Sequence, residues 1–341
     1  MANTISVGIL GASGFAGSEL LRLLAVHPDF EVRLAGADSQ AGTAVADLYP
    51  GLAAAYPDLR FTAAGAADCA GLDLVFLGLP HGLSQSIVPE LRGQVKWIVD
   101  AASDFRLKDP SLYPQWYGSE HPAPELLVDA AYGIPELFRE QIAATDLVAV
   151  AGCYPTGAAL AIAPFVRAGL IDTTNVIVNS ATGLSGAGRP PKEHTTFCAA
   201  DENYTAYGLL NHRHTPEIEQ ATGAEVLFTP HLAPMNRGIF TTAYARPVGD
   251  TSTEALLACL HDTYAGEPFM VVDERIPSTK AAQGSNTAHL TARFDERTGF
   301  VLLLSAIDNL VKGTSGQAIQ CANILAGIPE TTGLPLVGLM P

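Results

Sequence analysis

Cys153 occupies a position at which a thiol can act as a nucleophile. It lies in the segment VAVAGCYPTGAAL, 148–160, between an apolar run that predicts a strand and a small-residue run that predicts a helix beginning near Pro155. Free amides and the dipole at a helix N-terminus stabilise a thiolate, which is the nucleophilic form. The alternative is a cysteine that only packs, and we interpret three others in that way: Cys69, Cys259 and Cys321.

A nucleophilic thiol needs a proton partner, and two histidines supply candidates for it. The segment NHRHTPEIEQ, 211–220, contains His212 and His214, and Thr215 is a predicted cap for the helix that follows. Two histidines two residues apart can also bind a metal, but the sequence offers no evident third ligand, so we expect none. General acid–base catalysis is therefore the favoured interpretation, and either histidine fits it.

The first 28 residues predict a strand, a glycine turn and a helix. The strand is predicted over Ile5–Leu10, the turn GASGFAG follows at 11–17, and the helix is predicted over Ser18–Ala25. Glycines allow the backbone to approach a pyrophosphate, and the helix N-terminus provides free amides. The turn reads Gly-x-x-Gly-x-x-Gly rather than Gly-x-Gly-x-x-Gly, and a tight turn without a ligand is the alternative.

Several later loops carry groups suited to an anionic ligand or a cofactor. Asp38 ends the second predicted strand, where an acidic residue often binds a ribose 2′-hydroxyl, although it could equally face outward. Arg106 follows another predicted strand and could clamp a phosphate or carboxylate. Further candidates occur in loops that could also be purely structural: Ser185, Arg189, Lys192, His231, Asn236, Arg237, Asn309 and Lys312.

The order of the predicted elements indicates an α/β protein with two domains. Strands and helices alternate over residues 1–150, which predicts a Rossmann-like, doubly wound nucleotide domain. Residues 151–313 contain a run of strands, which predicts an α+β catalytic and oligomerisation domain with a mixed sheet. We expect the segment 314–341 to form a helix that packs back on the first domain.

The composition restricts the class of protein. The chain has 341 residues, 48% hydrophobic and 16% charged, which is sufficient for two packed cores. A formal charge of −16 disfavours nucleic acid and anionic membranes as partners. The sequence shows no membrane-length apolar run and no signal peptide. Five widely spaced cysteines predict free thiols, so we expect a cytoplasmic protein.

Taken together, the motifs resemble the N-acetyl-γ-glutamyl-phosphate reductase family of arginine biosynthesis. The matching motifs span nearly the whole chain in the family's order: GASGFAG, SDFRL, AGCYPTGA, TGLSGAGR, NHRHTPEIEQ, TPHLAPMNRGI and DNLVKGTSGQAIQ. The aspartate-semialdehyde dehydrogenases are similar in design, but their cysteine motif usually reads more like NCST. The present chain departs from the family's pattern at Asp38 and Ser39, where members often have neutral or basic groups.

The resemblance implies the reagents and the roles of individual residues. It implies NADP(H) as the cofactor, with Cys153 as the nucleophile, His212 as the acid/base and His214 close to it. The implied cofactor-binding residues are Gly11, Ser13, Gly14, Phe15, Ala16, Gly17, Ser39, Ser185, Gly186 and Asn309. The implied substrate-binding residues are Arg106, Arg189, Asn236 and Arg237.

The resemblance implies reduction of an acyl phosphate to N-acetylglutamate 5-semialdehyde and phosphate, and the residue types fit a route through a Cys153 thioester. Aspartyl phosphate or a carrier-linked glutamyl group are alternative substrates. A nucleotide sensor without catalytic activity is an alternative of another class, but such a protein would not need the thiol and the histidine pair. We expect a homodimer or a homotetramer, because a sheet face without helices often becomes a subunit interface.

Overall fold

The computed structural model describes residues 4–340. Its packing divides the chain into two compact units. The first contains the residues up to Ala151 together with Thr314–Leu334, and the second contains Gly152–Gly313 together with the residues from Pro335 on. None of the helices formed by residues 4–340 is both long and apolar enough to cross a membrane.

A parallel sheet forms the centre of the first unit. Within residues 4–340 it has six strands in the order β2-β1-β3-β4-β6-β5. All four residues of β3 are fully buried, as expected for a parallel strand covered on both faces. The strands are β1 Ile5–Leu10, β2 Phe30–Gly36, β3 Leu74–Leu77, β4 Trp97–Asp100, β5 Ala131–Gly133 and β6 Leu147–Val150.

The first helix begins three residues earlier than the sequence predicts. Gly14 has extended backbone angles and caps the helix at Phe15, so Gly17 lies inside the first turn. A Cβ on Gly17 would lie 2.4 Å from the Gly11 carbonyl oxygen, so only glycine permits this packing. The helices that precede residue 151 are α1 Phe15–Leu24, α2 Val45–Leu48, α3 Ser84–Leu91, α4 Tyr113–Tyr117 and α5 Pro135–Ala143.

A mixed sheet forms the second unit, as predicted. Its seven strands within the described chain are ordered β11-β12-β13-β10-β7-β9-β8. The β7–β9 and β11–β12 pairs are parallel and the others are antiparallel. The strands are β7 Val176–Thr182, β8 Thr205–Ala206, β9 Val226–Leu232, β10 Ile239–Ala245, β11 Met270–Val272, β12 Ala288–Asp295 and β13 Phe300–Ile307.

The second unit has five α-helices within the described chain, and most of them pack on its sheet. They are α6 Cys153–Arg167, α7 Phe197–Ala200, α8 His214–Thr222, α9 Thr253–Thr263 and α10 Thr279–Ala282. Helix α6 packs on β10, β12 and β13, and α8 packs on β9. Buried residues alternate along β7, β9 and β10 with accessible ones. The accessible residues form an open face, with one apolar row in register: Leu227, Ile177, Tyr244 and Leu302.

A helix that follows the second unit in sequence completes the first. Helix α11, Gly316–Ala326, packs against α5, β4 and β6, and it is buried from Gly316 to Asn323. The predicted helix over 314–341 is therefore too long. Gly327 takes a left-handed conformation (φ 68°) that ends the helix, and two residues later comes Pro329. Residues 335–340 pack with the second unit, where the Leu339 amide donates to the Gln283 carbonyl at 2.7 Å.

Candidate active site

Cys153 is the first residue of α6. Gly152, with extended backbone angles (φ −63°, ψ 155°), caps the helix, which thus begins two residues before the predicted start. The Thr156 amide and hydroxyl both donate to the Gly152 carbonyl, at 2.9 and 3.0 Å, and close the first turn. Cys153 is partly exposed. A partly exposed thiol at the N-terminus of a 15-residue helix has the setting that favours a thiolate.

The other cysteines differ from Cys153 in their surroundings. Burial raises the pKa of Cys69 to about 11, and burial also raises the pKa of Cys259. Cys321 is buried in α11, whereas Cys198 is exposed in the short helix α7. Three of the four are therefore poorly placed to react, and Cys198 must be removed before Cys153 can be labelled alone.

His214 lies directly against the backbone that precedes the thiol. A Cβ on Gly152 would be 2.5 Å from His214 Nε2, so the ring fills the space that a side chain would need. The fully buried Glu217 carboxylate accepts from the Gly152 amide at 3.1 Å, and its other oxygen is 3.8 Å from His214 Nε2. One carboxylate thus bonds to the helix cap and lies beside the imidazole.

His212 lies beside His214 in an aromatic cluster. The ring centroids of the two histidines are 4.7 Å apart, and the Tyr154 ring meets each edge-on at 5.7 and 5.8 Å. His212 Nδ1 accepts from the His214 amide, so a neutral His212 carries its proton on Nε2. Burial, and secondarily the charge of Arg213, lowers the pKa of His212 to about 4. His212 is therefore a neutral hydrogen-bond donor near pH 7.

Tyrosines link this cluster to the sheet. The Tyr207 hydroxyl donates to the Tyr154 hydroxyl at 3.1 Å, and Tyr154 in turn donates to the His231 carbonyl at 3.0 Å. Burial raises the pKa of Tyr207, and negative charge on Cys153 raises it further. Both tyrosines are thus neutral donors, and Tyr207 lies near enough to the thiol to respond to its charge.

The loop after β13 closes the site from the other side. Gly313 lies in the π-helical turn Val311–Ser315, and a Cβ on it would lie 2.9 Å from the Cys153 Cβ, so this turn touches the nucleophile. The fully buried Asp308 holds the loop by accepting from the Gly284 and Leu310 amides, at 2.7 and 2.8 Å. Its carboxylate also lies 3.6 Å from Arg237 Nη1.

Two of the predicted ligand-binding residues bond to each other. Asn309 Nδ2 donates to Ser185 Oγ at 2.9 Å, and its Oδ1 accepts from the Gly238 amide at 2.8 Å. Arg189 is partly exposed after the Ser185 turn, while Gly186 and Asn236 are exposed. The second unit thus brings together Cys153, the histidines, Ser185, Asn309 and Arg237; the glycine turn, Ser39 and Arg106 belong to the first unit.

The glycine turn of the first unit fits a phosphate group. Gly11 has φ 89°, and a Cβ there would be 2.3 Å from the Gly78 carbonyl oxygen. No side chain caps the first amides of α1, at Phe15 and Ala16. The Ser13 carbonyl accepts from Tyr49 Oη at 2.7 Å, which fixes the turn. A pyrophosphate is bound by the free amides at a helix N-terminus. Glycines before the helix allow the backbone to come close to it.

Two further loops lie at the carboxyl ends of the parallel strands. Asp38 and Ser39 are both exposed in a short turn after β2. Arg106 is buried, and its Nη2 donates to the Ala101 carbonyl at 2.9 Å. The buried Asp104 accepts from His81 Nδ1 at 2.6 Å and from Ser84 Oγ at 2.9 Å. Carboxyl ends of parallel strands are where ligands of such sheets bind.

Sequence reasoning missed several residues of the site. Glu217 was detectable, because it lies three residues after His214 on a predicted helix and so shares its face. Tyr154 and Tyr207 gave no signal, since their hydroxyl contact joins residues 53 positions apart. Asp308 gave no signal of its own, because its burial is apparent only in the folded chain.

The two units match the models of two known domains. Residues 6–145 match the semialdehyde dehydrogenase NAD binding domain, and residues 153–309 match the semialdehyde dehydrogenase dimerisation domain. The aspartate semialdehyde dehydrogenase II of Vibrio cholerae, solved in complex with ASA, has a similar fold (TM-score 0.72, 18% identity, 96% of this chain and 99% of that one). The aspartate semialdehyde dehydrogenase of Candida albicans, solved with NADP, has a TM-score of 0.68 and 16% identity. The match covers 95% of this chain and 99% of that one.

Curated relatives narrow this class further. The N-acetyl-γ-glutamyl-phosphate reductase of Symbiobacterium thermophilum is 46% identical over 340 residues, 97% of either chain. That of Pseudomonas entomophila is 44% identical over 345 residues, 99% of this chain and 100% of the other. The chain therefore belongs to the N-acetyl-γ-glutamyl-phosphate reductase family. It is an oxidoreductase with a domain that binds a nicotinamide cofactor.

Proposed function

We propose that the protein reduces N-acetyl-γ-glutamyl phosphate to N-acetylglutamate 5-semialdehyde and phosphate with NADPH, as a step of arginine biosynthesis. The observation that carries this proposal is the partly exposed Cys153 thiol at the N-terminus of α6, against His214 and its buried partner Glu217. The names of the relatives at 44–46% identity supply the substrate.

The first chemical step is acyl transfer to sulfur. The Cys153 thiolate attacks the acyl carbon, the C–S bond forms, and the C–O bond to phosphate breaks. The α6 N-terminus stabilises the attacking thiolate, and the cations Arg106, Arg189 and Arg237 are the proposed ligands of the substrate's anionic groups. Phosphate leaves, and the acyl group remains as a thioester.

The second step reduces the thioester. NADPH, when bound, supplies the hydride for the thioester carbon. His214, oriented by Glu217, protonates the oxyanion that develops and then takes the proton back as the C–S bond breaks, which releases aldehyde and thiolate. His212 donates a hydrogen bond through Nε2 as a neutral imidazole, a role that fits its lowered pKa. Asn309 and Ser185 form a fixed polar pair for the nicotinamide end of the cofactor.

The cofactor is held by the glycine turn of the first unit. The residues that fit its phosphates are those of the turn: Gly11, Ser13, Gly14, Phe15, Ala16 and Gly17. Ser39 is the proposed ligand for the 2′-phosphate of NADP. Arg60 supports this choice, because its Nη1 donates to the Gly42 carbonyl at 2.8 Å and thus places a cation at the loop that follows Ser39.

Two copies pair through the second unit. The open face of its sheet exposes Ile177 and Leu227 in register, and residues 153–309 match a dimerisation domain. Covering these side chains with the same face of a second copy gives a closed, self-complementary dimer. The free thiols of the five cysteines suit a reducing compartment, which for this enzyme is the cytoplasm.

The test is the reverse reaction, with N-acetylglutamate 5-semialdehyde, phosphate and either NADP⁺ or NAD⁺, followed by absorbance of the reduced cofactor. We expect a phosphate-dependent rate that is faster with NADP⁺, and a loss of at least ~10³-fold in Cys153→Ala. Cys198→Ser, at the exposed cysteine of α7, is the matched control and should keep full activity.

Other outcomes would reject parts of this proposal. A rate in Cys153→Ala close to that of the parent would remove the thioester step. An equal rate with NAD⁺ would remove the NADP preference. The parent could also be folded but inactive with N-acetylglutamate 5-semialdehyde and active with aspartate semialdehyde. This result would assign it the substrate in the names of its structural relatives.

A further inference from the structure

Residues 197–210, which we call the strap, carry an unusual number of exposed apolar side chains. Phe197 is 78% exposed, Tyr204 59%, Leu209 58% and Leu210 77%. Single exposed apolar residues are ordinary, but four within 14 residues form a patch of the kind that is covered in the working state of a protein.

Leu210 is in addition held in an unfavourable backbone conformation. Its φ of 64° is in the left-handed region, which a leucine rarely occupies because its Cβ crowds the following carbonyl. Such strain persists where surrounding structure or a ligand requires it. The conformation leaves an apolar side chain exposed at a position that asparagine or glycine would occupy more easily.

The inner side of the strap is part of the active site. The Tyr207 hydroxyl bonds to Tyr154 below the histidines, and its amide donates to the Pro230 carbonyl at 3.1 Å. A Cβ on Gly208 would be 3.1 Å from His212 Cδ2, so the backbone lies on that ring. The outer leucines are thus only one to three residues from contacts that position His212.

The strap also continues the open face of the sheet. Its strand β8 pairs with the end of β9, with Ala206 opposite His231. The Tyr204 ring stacks on the His231 ring at 5.0 Å and 14°. His231 is on the same side of β9 as Leu227, since the two are four residues apart on a strand. The strap therefore adjoins the open face at β8 and at Tyr204.

We propose that a second copy of this chain covers the strap, and that this contact holds the loop before His212 in its active geometry. The inference rests on the proposed pairing of open faces, and it extends the interface to the active site. The occupant is a second copy because the patch is continuous with the open face, and both belong to the domain that matches a dimerisation domain. Activity would then depend on assembly.

The experiment compares two variants with the parent enzyme. One is the single variant Leu210→Asn, and the other is the double variant that combines Leu209→Asp and Leu210→Asn. Asparagine tolerates a positive φ, so the backbone keeps its conformation while the apolar group is lost. Val128→Asn, at an equally exposed (76%) apolar residue of the first unit, is the control. Mass and specific activity are measured on the same samples over a dilution series by mass photometry and by the reductase assay.

We expect the parent to be a dimer. The dimer dissociation constant of the double variant should be at least ~10-fold higher than that of the parent, which corresponds to about 1.4 kcal/mol of binding free energy. Its specific activity should fall on dilution together with the dimer fraction and recover at high concentration. The control should match the parent in both measurements.

Any of three results would overturn the inference. A double variant that remains dimeric and active shows that the leucines have no part in assembly. One that remains dimeric but loses activity at every concentration shows that the strap acts on the substrate instead. Monomers as active as dimers show that assembly and catalysis are independent. The loss of activity in Cys153→Ala is measured separately, so failure here leaves the proposed reaction intact.

Discussion

Gly152 connects the nucleophile, its helix and the imidazole through a single backbone position. Its amide donates to Glu217, its carbonyl accepts from Thr156, and its missing Cβ leaves room for His214. Its backbone angles are ordinary, so the requirement for glycine comes from the neighbouring ring and not from backbone strain. This distinguishes a steric requirement of the site from a requirement of the fold.

Gly152→Ala should therefore inactivate the enzyme without unfolding it. The added methyl group would lie 2.5–2.9 Å from three atoms of the His214 ring, which must move. We expect kcat to fall at least ~10²-fold, as for a misplaced catalytic group, with KM for NADPH unchanged. Steady-state kinetics and circular dichroism measure the two effects.

Gly157→Ala, one turn further along α6, is the matched control. Its Cβ would meet Ser305 Oγ at 3.2 Å, which is tight, but it would touch no residue of the proposed site. A Gly152→Ala enzyme as active as Gly157→Ala would show that His214 does not need its present position.

At the residue scale, the sequence predicted those parts of the site that depend on local spacing. The glycine turn, Cys153 and the histidine pair are each identified within about a dozen residues of sequence. The bond of Gly152 to Glu217 joins residues 65 positions apart, and that of Ser185 to Asn309 joins residues 124 apart. Only the folded sheet brings such residues together.

At the scale of elements, a buried histidine fastens α11 to the end of α1. His27 Nδ1 accepts from the Asp29 and Phe30 amides, so Nε2 carries the proton and donates to Asn323 Oδ1 at 3.0 Å. The Asn323 amide then donates to the carbonyls of Glu330 and Thr332. Four segments of the first unit depend on this neutral ring.

Burial, more than any other cause, lowers the pKa of His27 below its ordinary 6.5. The unfolded chain therefore binds a proton at this position at a higher pH than the folded chain does. The contribution of His27 to the free energy of unfolding should be at its maximum above pH 6.5. It should decrease as the pH falls below 6.5. We expect the parent to lose more thermal stability between pH 7.5 and 5.5 than His27→Gln does, measured by scanning calorimetry.

Equal losses in the two proteins would mean that the other buried histidines cause the whole effect. His121, His212 and His289 all have pKa values lowered by burial, and they remain in both proteins. The comparison of the two proteins removes their common contribution.

The bounds of elements with a strong local sequence signal were predicted to the residue. The bounds of other elements differ from the prediction because of neighbouring residues. Strand β1 has its predicted bounds of Ile5 and Leu10. Helices α1 and α6 each begin earlier than predicted, because a capping glycine and not a later polar residue or proline starts them. The mixed sheet was predicted, but its strand order depends on pairings between distant segments.

At the scale of the whole molecule, the charge of −16 opposes the pairing of two copies. The proposed interface is mainly apolar, so the repulsion acts over a distance and is weakened by salt, with a Debye length of about 10 Å at 0.1 M. We expect the dissociation constant of the dimer to be lower in ~150 mM than in ~10 mM NaCl, measured by sedimentation equilibrium.

Choline chloride in place of NaCl should give the same result, because screening does not depend on the identity of the cation. A dissociation constant that rises with salt would contradict this expectation and would indicate pairs of opposite charges across the interface.

The order of segments along the chain has a consequence for biosynthesis. The sheet of the first unit is synthesised by residue 150, but α11, which packs on β4 and β6, emerges only after the whole of residues 152–313. The second unit can thus fold on the ribosome while the first still exposes the groove for α11. The nascent first unit is then the part most open to chaperones and to aggregation. Premature release near residue 313 would leave that groove permanently exposed.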